Sequence, residues 1–223
     1  MTAPPATIAD LRGRQVLVLG LARSGMAAAR MLADAGATVT VYDRRSATDL
    51  AEAVRTLGTR QVRLLLAAEP AVAGDELASA ELVITSPSIS ARFPTTEPWL
   101  RQALASAEAA GTPVLSEVDL FLRLTRARVL AVTGTKGKTT TTALIGAALA
   151  AAGIPHAVGG NIGTPLIERV ADLGPSDWAV LELSELQLPT ISRGADVAVY
   201  TNIGADHLDR HGTVEAYRAV KRR

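Results

Sequence analysis

The strongest constraint on the fold is a pattern that the sequence uses twice: a short apolar run, a glycine-containing turn and an alanine-rich stretch. The apolar runs predict strands at Gln15–Leu19 and Arg128–Val132, and the alanine-rich stretches predict helices that end near Ala35 and Ala152. A glycine follows each helix, where it accepts the left-handed backbone that ends helices. Because a strand that feeds a helix through a short turn begins a βαβ unit, the pattern predicts an α/β fold with parallel sheets.

The remaining elements alternate in the same way. Further strands are predicted at Thr38–Tyr42, Val62–Leu66, Leu82–Thr85, Trp178–Leu183 and Val197–Thr201, and further helices at Thr48–Leu57, Glu97–Ala110 and Val214–Lys221. Since the strand-turn-helix opening recurs, we place a domain boundary near Leu124–Ala127. Residues 1–125 are predicted to form a Rossmann-like parallel-sheet domain, and residues 126–223 a second α/β domain built around the second glycine turn.

Composition excludes several kinds of site. The 223 residues carry a net charge of +1, which argues against a surface for nucleic acid or anionic lipid. There is no cysteine, which excludes disulfides, thiolate metal sites and a cysteine nucleophile. The N-terminal residues lack the apolar segment of a secretory signal, and the uncharged stretch Ala143–Ile154 is too short to span a bilayer and is predicted to be a buried helix. We expect a soluble cytoplasmic protein.

The second glycine turn, Gly134–Thr139, is the stronger chemical signal. It lies between a predicted strand and a predicted helix, where backbone N–H groups and the helix dipole favour a phosphate. Lys138 is then placed for the β- and γ-phosphates of ATP, and the Thr139 hydroxyl for Mg²⁺. The first glycine of the full phosphate-loop pattern would fall at Val132, which belongs to the strand. The alternative is an ordinary tight turn with a surface lysine.

The first glycine turn, Gly20–Gly25, is a weaker signal. Ala22 stands where the middle glycine of the dinucleotide fingerprint lets the backbone approach a pyrophosphate, which weakens the case for NAD. Asp43 ends the second predicted strand, where an acidic residue meets a ribose or a base. The turn indicates a nucleotide or nucleotide-sugar site without naming the ligand. The alternative is that the glycines only permit close packing of helix on strand.

Three side chains further along are candidates for metal binding. Glu182 falls at the end of a predicted strand, where a carboxylate can hold Mg²⁺ beside the phosphates, and the alternative is a solvated glutamate. His207 follows the strand at Val197–Thr201, but a lone histidine is more often structural, and the same holds for His156 and His211. Lys221, taken by itself, is predicted to be a solvent-facing lysine.

The order of these motifs resembles the Mur ligase family over nearly the whole chain. The resemblance is carried by TGTKGKTT at 133–140, GGNIG at 159–163, LELS at 181–184 and TNIGADHLDRHGT at 201–213. Within the family, the opening VLVLGLARSG at 16–25 and the run GNIGTPL at 160–166 are most similar to the branch that adds D-glutamate to UDP-N-acetylmuramoyl-L-alanine. The resemblance thus implies a Rossmann-like domain for the UDP-substrate, followed by an incomplete part of a P-loop ATPase domain.

The resemblance also implies roles for residues that match the family motifs. For the UDP-substrate these are Arg23, Ser24, Asp43 and Arg44 at the uridine end, Ser86, Pro87 and Ser88 by the diphosphate, and Gly160, Asn161, Ser184 and Gln187 at the muramyl part. For ATP they are Gly134, Thr135, Lys136, Gly137, Lys138, Thr139 and Thr140. The implied metal ligands are Thr139, Glu182, His207 and Lys221, and the implied catalytic residues are Lys138, Glu182, His207 and Lys221. Lys221 matches a lysine that CO₂ carbamylates, which makes it an anionic oxygen ligand.

The implied reaction is an ATP-dependent ligation in peptidoglycan synthesis, with Mg²⁺ as cofactor, and we expect a monomer. The γ-phosphate passes to the alanyl carboxylate, and the amine of D-glutamate attacks the acyl phosphate through a tetrahedral intermediate. Family members continue for about as much chain again, with a third domain for the incoming amino acid. We therefore expect this chain to bind the UDP-substrate without completing ligation alone, and to have no nucleic-acid or membrane partner.

Other interpretations remain open. Four positions depart from the family pattern: Lys136 replaces an asparagine, Glu185-Leu186 replaces Ser-Phe, and Ser88 stands where glycine is common. A sibling ligase or a folylpolyglutamate synthase would share most of the motifs. An NAD-dependent oxidoreductase would use the first glycine turn but leave the second unexplained, and a non-catalytic nucleotide-binding module would use both without turnover.

Overall fold

A computed structural model describes residues 3–93, 95–204 and 213–221 of the chain. The chain divides into two compact units, Met1–Leu124 and Thr125–Arg223. Each unit contains a parallel sheet with helices in its connections, so the predicted α/β class is confirmed. No helix of the described residues is long and apolar enough to cross a membrane.

The sheet of the first unit has five parallel strands among the described residues, in the order β3-β2-β1-β4-β5. They are β1 (Gln15–Leu19), β2 (Thr38–Asp43), β3 (Val62–Leu66), β4 (Leu82–Thr85) and β5 (Val114–Ser116). The central strands are almost continuously apolar because both faces of the sheet are covered. The pairing puts Leu19 opposite Tyr42 and Thr85, so the turns that follow β1, β2 and β4 meet at one edge of the sheet.

The helices of the first unit cover both faces of this sheet. They are α1 (Arg23–Asp34), α2 (Ala51–Leu57), α3 (Pro70–Ser79), α4 (Pro98–Ala109) and α5 (Glu117–Leu124), with a 3₁₀ turn at Ile8–Leu11. Leu17 and Leu19 of β1 belong to a core cluster with Leu77 of α3 and Leu104 of α4. Val18 points to the other face, since side chains alternate along a strand, and α1 packs there.

The sheet of the second unit has four parallel strands among the described residues, in the order β7-β8-β6-β9. They are β6 (Arg128–Thr133), β7 (His156–Gly160), β8 (Trp178–Glu182) and β9 (Val197–Tyr200). The helices that the structure describes in this unit are α6 (Lys138–Ala151) and α7 (Val214–Lys221), with 3₁₀ turns at Leu166–Arg169 and Leu188–Thr190. Val132 lies opposite Glu182, and Thr133 lies opposite Tyr200, so the ends of β6, β8 and β9 adjoin.

Two of the sequence predictions about helices are wrong in part. The helix predicted at Thr48–Leu57 begins only at Ala51, because Ser46 and Asp49 exchange side-chain and backbone hydrogen bonds in a polar turn that competes with helix formation. The helix predicted at Glu97–Ala110 begins at Pro98, because Glu97, with φ −52° and ψ 138°, has the non-helical backbone favoured before proline.

The apolar stretch Ala143–Ile154 is not the buried helix that the sequence predicted. It forms most of α6, whose buried residues are only Thr142 and Gly146. Leu144 is 65% exposed. The error arises because alanine and leucine are counted as apolar at every position of the helix, whereas only the face toward the sheet is covered.

Gly25 is the position where the first turn depends most on the absence of a side chain. A Cβ at this residue would overlap the carbonyl oxygen of Gly20 and lie 3.5 Å from Val18. The overlap is with backbone, which cannot rotate away as the end of a side chain can. Gly25 therefore lets α1 start directly against the turn that follows β1.

We expect Gly25→Ala to destabilise the protein by about 1–3 kcal/mol, because the added methyl group forces the turn and α1 apart. Gly74→Ala is the matched control, since a Cβ there meets nothing within 4 Å. On α3 it should be neutral or stabilising by up to about 1 kcal/mol, from the better helix propensity of alanine. Urea denaturation of the two variants measures both effects. Equal stabilities would contradict the close approach at Gly25.

Candidate functional site

A pocket of about 490 Å³ lies in the first unit, where β1, β2 and β4 end. The residues that line it come from the ends of these strands and from the segment before α4: Leu19, Gly20, Ala22, Tyr42, Asp43, Arg44, Arg45, Ser86, Ser88, Ile89, Thr95, Thr96, Glu97 and Leu100. Asp43, Arg44, Ser86 and Ser88 were candidates from the sequence. The other three candidates of this unit, Arg23, Ser24 and Pro87, are not among the lining residues.

The carboxylate of Asp43 is already hydrogen-bonded on both oxygens. It accepts the Leu21 backbone N–H at 2.8 Å, the Arg45 backbone N–H at 2.9 Å and the Arg45 guanidinium at 2.8 and 3.0 Å. Burial alone would raise the pKa of Asp43, but the hydrogen bonds from Arg45 and Leu21 outweigh it and the pKa lies below its usual value. Asp43 therefore fixes the glycine turn and orients Arg45, and its predicted contact with the uridine end stays a prediction.

The serines after β4 form a small polar turn at the pocket. The hydroxyls of Ser86 and Ser88 lie 3.0 Å apart, and the Ile89 N–H donates to the Ser86 carbonyl. The Ile89 side chain lies 3.9 Å from where a Cβ on Gly20 would be, so this turn faces the glycine turn after β1. Two hydroxyls beside the start of α1 suit a phosphate group.

Sequence reasoning missed the wall of the pocket that comes from α4. Glu97 and Leu100 were recognised only as helix residues and Tyr42 only as the end of a strand, and Arg45 was not singled out. Tyr42 and Trp99 make an edge-to-face contact with ring centroids 5.8 Å apart. The acidic strand end was a usable signal for the pocket, but the sequence does not show which helix returns to it.

In the second unit, the turn between β6 and α6 has the form of a phosphate loop. Gly134 and Gly137 adopt φ angles of 146° and 82°, in a region that residues with a Cβ atom rarely adopt. The Lys138 ammonium donates to the carbonyls of Gly134 and Thr135, at 3.0 Å each. Thr140 is exposed in the first turn of α6. The loop thus wraps around its own lysine, at the positively polarised end of a 14-residue helix.

The segment after β9 clamps this loop. Asn202 accepts the Lys136 N–H at 3.1 Å and donates to the Lys136 carbonyl at 2.9 Å, and Thr201 donates to the same carbonyl at 2.6 Å. A Cβ on Gly134 would overlap the Thr201 hydroxyl, so the glycine is required for this approach. The Lys136 side chain remains exposed.

Glu182 joins two of the predicted motifs. Its carboxylate accepts the Thr139 hydroxyl of the phosphate loop at 2.8 Å and the Asn161 amide N–H at 2.9 Å. It is 1% exposed, so the alternative of a solvated glutamate is wrong. Gly160 lets the chain pass close to β8, since a Cβ there would overlap the Glu182 carbonyl oxygen. A carboxylate and a hydroxyl at this spacing are hard oxygen donors that suit Mg²⁺.

Helix α7 is attached to the phosphate loop by two side chains. The Tyr217 hydroxyl lies 3.2 Å from the Thr135 hydroxyl, and the Lys221 ammonium donates to the Thr133 hydroxyl at 3.1 Å. Lys221 is fully buried and lies over the Tyr217 ring, so the interpretation as a solvent-facing lysine is wrong. Sequence reasoning did not find Tyr217, which stands one helical turn before Lys221 and is 1% exposed.

The remaining candidates fall into three groups. Gln187 accepts the Ser184 N–H and hydroxyl at 2.9 and 3.1 Å, so these two residues contact each other, while Glu185 beside them is 7% exposed. His156 begins β7 and contacts the Ile154 carbonyl, which fits a structural role. His207 and His211 lie outside the described residues. Among the residues that the structure does describe, no cluster of three or more histidine, aspartate or glutamate side chains forms a metal site.

Two family models match the chain, one in each unit. The model for the Mur ligase MurD-like N-terminal domain matches residues 14–116, and the model for the Mur ligase middle domain matches residues 132–223. The two matches together cover most of the described sheets and loops. The chain belongs to the Mur ligase family.

Curated relatives support the Mur ligase assignment. The chain is 40% identical over 96% of its length to the UDP-N-acetylmuramoylalanine–D-glutamate ligase of Koribacter versatilis (strain Ellin345), and 41% identical over 95% of its length to that of Geobacter metallireducens. It spans 45% of the length of each of these relatives. The solved UDP-N-acetylmuramate–alanine ligase of Thermotoga maritima shares the fold, with a TM-score of 0.55 and 21% identity over 93% of this chain and 46% of that one.

Asp43→Asn tests the anchor of the first turn in this Mur ligase chain. We expect a loss of about 1.5–3 kcal/mol at pH 7, because charge-assisted hydrogen bonds to Leu21 and Arg45 are removed. Because the pKa of Asp43 is lower in the folded than in the unfolded protein, its carboxylate stabilises the fold at pH values above the unfolded pKa of about 3.9. This stabilisation is lost as the pH falls through the lower pKa of the folded protein. Urea denaturation between pH 7 and pH 3 should show the difference from wild type shrinking toward acid. A difference in stability that stays constant with pH would contradict this role of the Asp43 carboxylate. Asp75→Asn is the control, because Asp75 is exposed, and it should change stability by less than about 0.5 kcal/mol.

Tyr217→Phe tests the attachment of α7 to the phosphate loop. Losing the hydroxyl contact with Thr135 should lower the unfolding free energy by about 0.5–1.5 kcal/mol. Tyr200→Phe is the matched control, because Tyr200 is 44% exposed at the end of β9. Thermal unfolding of both variants measures the effect. A Tyr217→Phe protein as stable as Tyr200→Phe would show that the contact is incidental.

Proposed function

We propose that this chain carries the UDP-substrate unit and the ATP loop of an ATP-dependent ligase that joins D-glutamate to UDP-N-acetylmuramoyl-L-alanine in peptidoglycan synthesis. The observation that carries the proposal is the buried Glu182 carboxylate, held by Thr139 of the phosphate loop and by Asn161 of the neighbouring loop. A carboxylate between the proposed nucleotide loop and a second loop, which the resemblance assigns to the muramyl substrate, supports a metal site there. The names of the relatives and the N-terminal family model support D-glutamate as the added amino acid.

The pocket of the first unit is proposed to hold the uridine end of the substrate. In doubly wound sheets a nucleotide binds where neighbouring strands lead their connections to opposite faces, with its phosphates at the glycine turn and its ribose and base toward the end of the next strand. Ser86, Ser88 and Arg44 line this pocket. We propose that Ser86, Ser88 and the start of α1 contact the diphosphate and that Arg44 contacts the base. Arg23, Ser24 and Pro87 do not line this pocket, so they would contact the ligand only from outside it.

The phosphate loop is proposed to bind ATP. The backbone N–H groups at the start of α6 and the Lys138 ammonium supply positive charge for the β- and γ-phosphates. Lys138 now donates to two loop carbonyls, and phosphate oxygens would replace them as acceptors. Gly134–Thr140 are thus proposed to form the loop that binds the ATP phosphates.

The residues for metal binding are Thr139 and Glu182, with His207 and Lys221 as the further members implied by the family. A bound Mg²⁺ would supply positive charge for the phosphoryl group in transfer. Lys221 lies beside Thr133 at the end of β6, so carbamylation of its amine would bring an anionic oxygen ligand to the same edge of the sheet.

The proposed chemistry has two steps. The alanyl carboxylate of the substrate attacks the γ-phosphorus of ATP, and ADP leaves, which gives an acyl phosphate. The amine of D-glutamate then attacks the acyl carbon, loses a proton and expels phosphate from a tetrahedral intermediate, which forms the amide. Lys138 stabilises charge on the phosphoryl group, while Asn161, Ser184 and Gln187 are placed to orient the muramyl substrate.

Two observations disfavour the oxidoreductase alternative. Both oxygens of Asp43 are occupied by Leu21 and Arg45, whereas an NAD site needs this carboxylate for ribose hydroxyls. The second glycine turn is linked to Glu182, which an NAD enzyme would leave unused. A sibling Mur ligase differs mainly in the amino acid added, so substrate titration separates it.

The proposal is tested by calorimetric titration of the 223-residue chain. We expect UDP-N-acetylmuramoyl-L-alanine to bind and UDP-N-acetylmuramate to bind more weakly, while NADH gives no signal. Magnesium-ATP should bind to wild type and bind at least about tenfold more weakly to Lys138→Ala, because the ammonium is lost from the phosphates. Arg169→Gln, which removes an exposed cation of the same unit, should bind ATP like wild type.

Binding of NADH, or of neither UDP compound by a chain with a cooperative unfolding transition, would overturn the proposal for the first unit. Preference for UDP-N-acetylmuramate would favour the sibling that acts before the alanine is added. Unchanged ATP binding by Lys138→Ala would overturn the assignment of the phosphate loop.

A further inference from the structure

The wall of the first-unit pocket carries two ion pairs of different strength. Asp43 and Arg45 make two close hydrogen bonds, and the Asp43 side chain is 5% exposed. Arg44 and Glu97 make a single contact of 3.4 Å, with side chains 78% and 43% exposed. The first pair is therefore fixed, whereas the second contributes little to the stability of the protein.

Glu97 is itself held in place from its other side. Its second carboxylate oxygen accepts the Trp99 indole N–H at 2.7 Å. The Trp99 ring in turn contacts the edge-to-face partner Tyr42 at the end of β2. Glu97 also precedes Pro98, the first residue of α4, so its backbone is fixed by the helix start. The carboxylate is thus a rigid acceptor for a long and otherwise mobile arginine.

The location of Arg44 decides which part of a nucleotide it meets. Arg44 follows Asp43 directly at the end of β2, where doubly wound sheets bind the ribose and base, while the phosphates bind at the glycine turn. A guanidinium held over this end presents a flat face that stacks on a nucleobase. The negative charge of Glu97 offsets that of Arg44, which suits an uncharged base better than a phosphate.

We propose that Glu97 is a positioning residue that holds the Arg44 guanidinium over the nucleobase end of the pocket before the ligand binds. The inference rests on the proposed function, because it requires a pyrimidine nucleotide in this pocket. Ordering an arginine before binding removes an entropic cost that would otherwise be met on binding. Glu97 thereby contributes to affinity through Arg44 without contacting the ligand itself.

The test uses Glu97→Gln in the full chain, with uridine and UDP as probes in NMR chemical-shift titrations. Glutamine keeps an oxygen that accepts the Trp99 N–H but loses the charge that holds Arg44. We expect uridine to bind about two- to tenfold more weakly, since one side chain must now be ordered on binding. UDP should lose less affinity than uridine, because removing the Glu97 charge also removes its repulsion of the UDP phosphates. The Trp99 indole signal should keep its shift in the free protein.

The control and the double variant separate this role from a structural one. Glu108→Gln makes the same change at an exposed position of the same helix and should bind both probes like wild type. Arg44→Gln should weaken uridine binding, and adding Glu97→Gln to it should cause no further loss, because Glu97 acts only through Arg44.

Unchanged uridine binding by Glu97→Gln, or losses that add in the double variant, would overturn the inference. Tighter UDP binding with unchanged uridine binding would also overturn it, since Glu97 would then be a competitor for Arg44. These results leave the proposed function intact, because wild type still binds the probes. A wild-type chain that binds neither uridine nor UDP would overturn the inference together with the proposed function.

Discussion

The parallel register of β6 with its two neighbours is the constraint on which the second unit depends. It sets the carboxyl ends of β6, β8 and β9 side by side. The phosphate loop leaves β6, Glu182 ends β8, and Thr201 and Asn202 follow β9. Hydrogen bonds of 2.6–3.1 Å then join the three ends, through Glu182 on one side of the loop and Asn202 and Thr201 on the other. A shift of one residue would send these side chains to the wrong face.

Each glycine turn joins a strand to a helix, but different groups hold the two turns in place. In the first, an acidic residue at the end of the adjacent strand accepts the N–H of Leu21 and holds the turn from outside. In the second, the loop's own Lys138 donates to two of its carbonyls, and Asn202 holds the backbone from the next strand. At the first turn the charge of the acidic residue is offset by Arg45, whereas the second turn presents an ammonium that phosphate oxygens can contact.

Elements that depend on neighbouring residues in the sequence were easier to predict than those that depend on distant ones. The strands at Val62–Leu66 and Leu82–Thr85 have the predicted bounds, because a short run of mostly apolar residues is a local signal. The helices α3 and α5 and the strands β5 and β7 were not predicted. Each is short or weakly patterned, so its formation depends on the sheet and helices that it packs against. The burial of Lys221 was missed for a related reason, since a lysine on a short helix carries no sequence signal of what covers it.

The sequence by itself determined the α/β class, the two glycine turns and the family, because strand, turn and helix signals are local and the motifs are long and ordered. Only the tertiary structure decided which groups meet: Glu182 with Thr139 and Asn161, Tyr217 with Thr135, and Glu97 with Arg44. These partners are separated by 21 to 82 residues along the chain. Their meeting depends on strand order and on the path of each helix across the sheet, which local residue preferences leave undetermined.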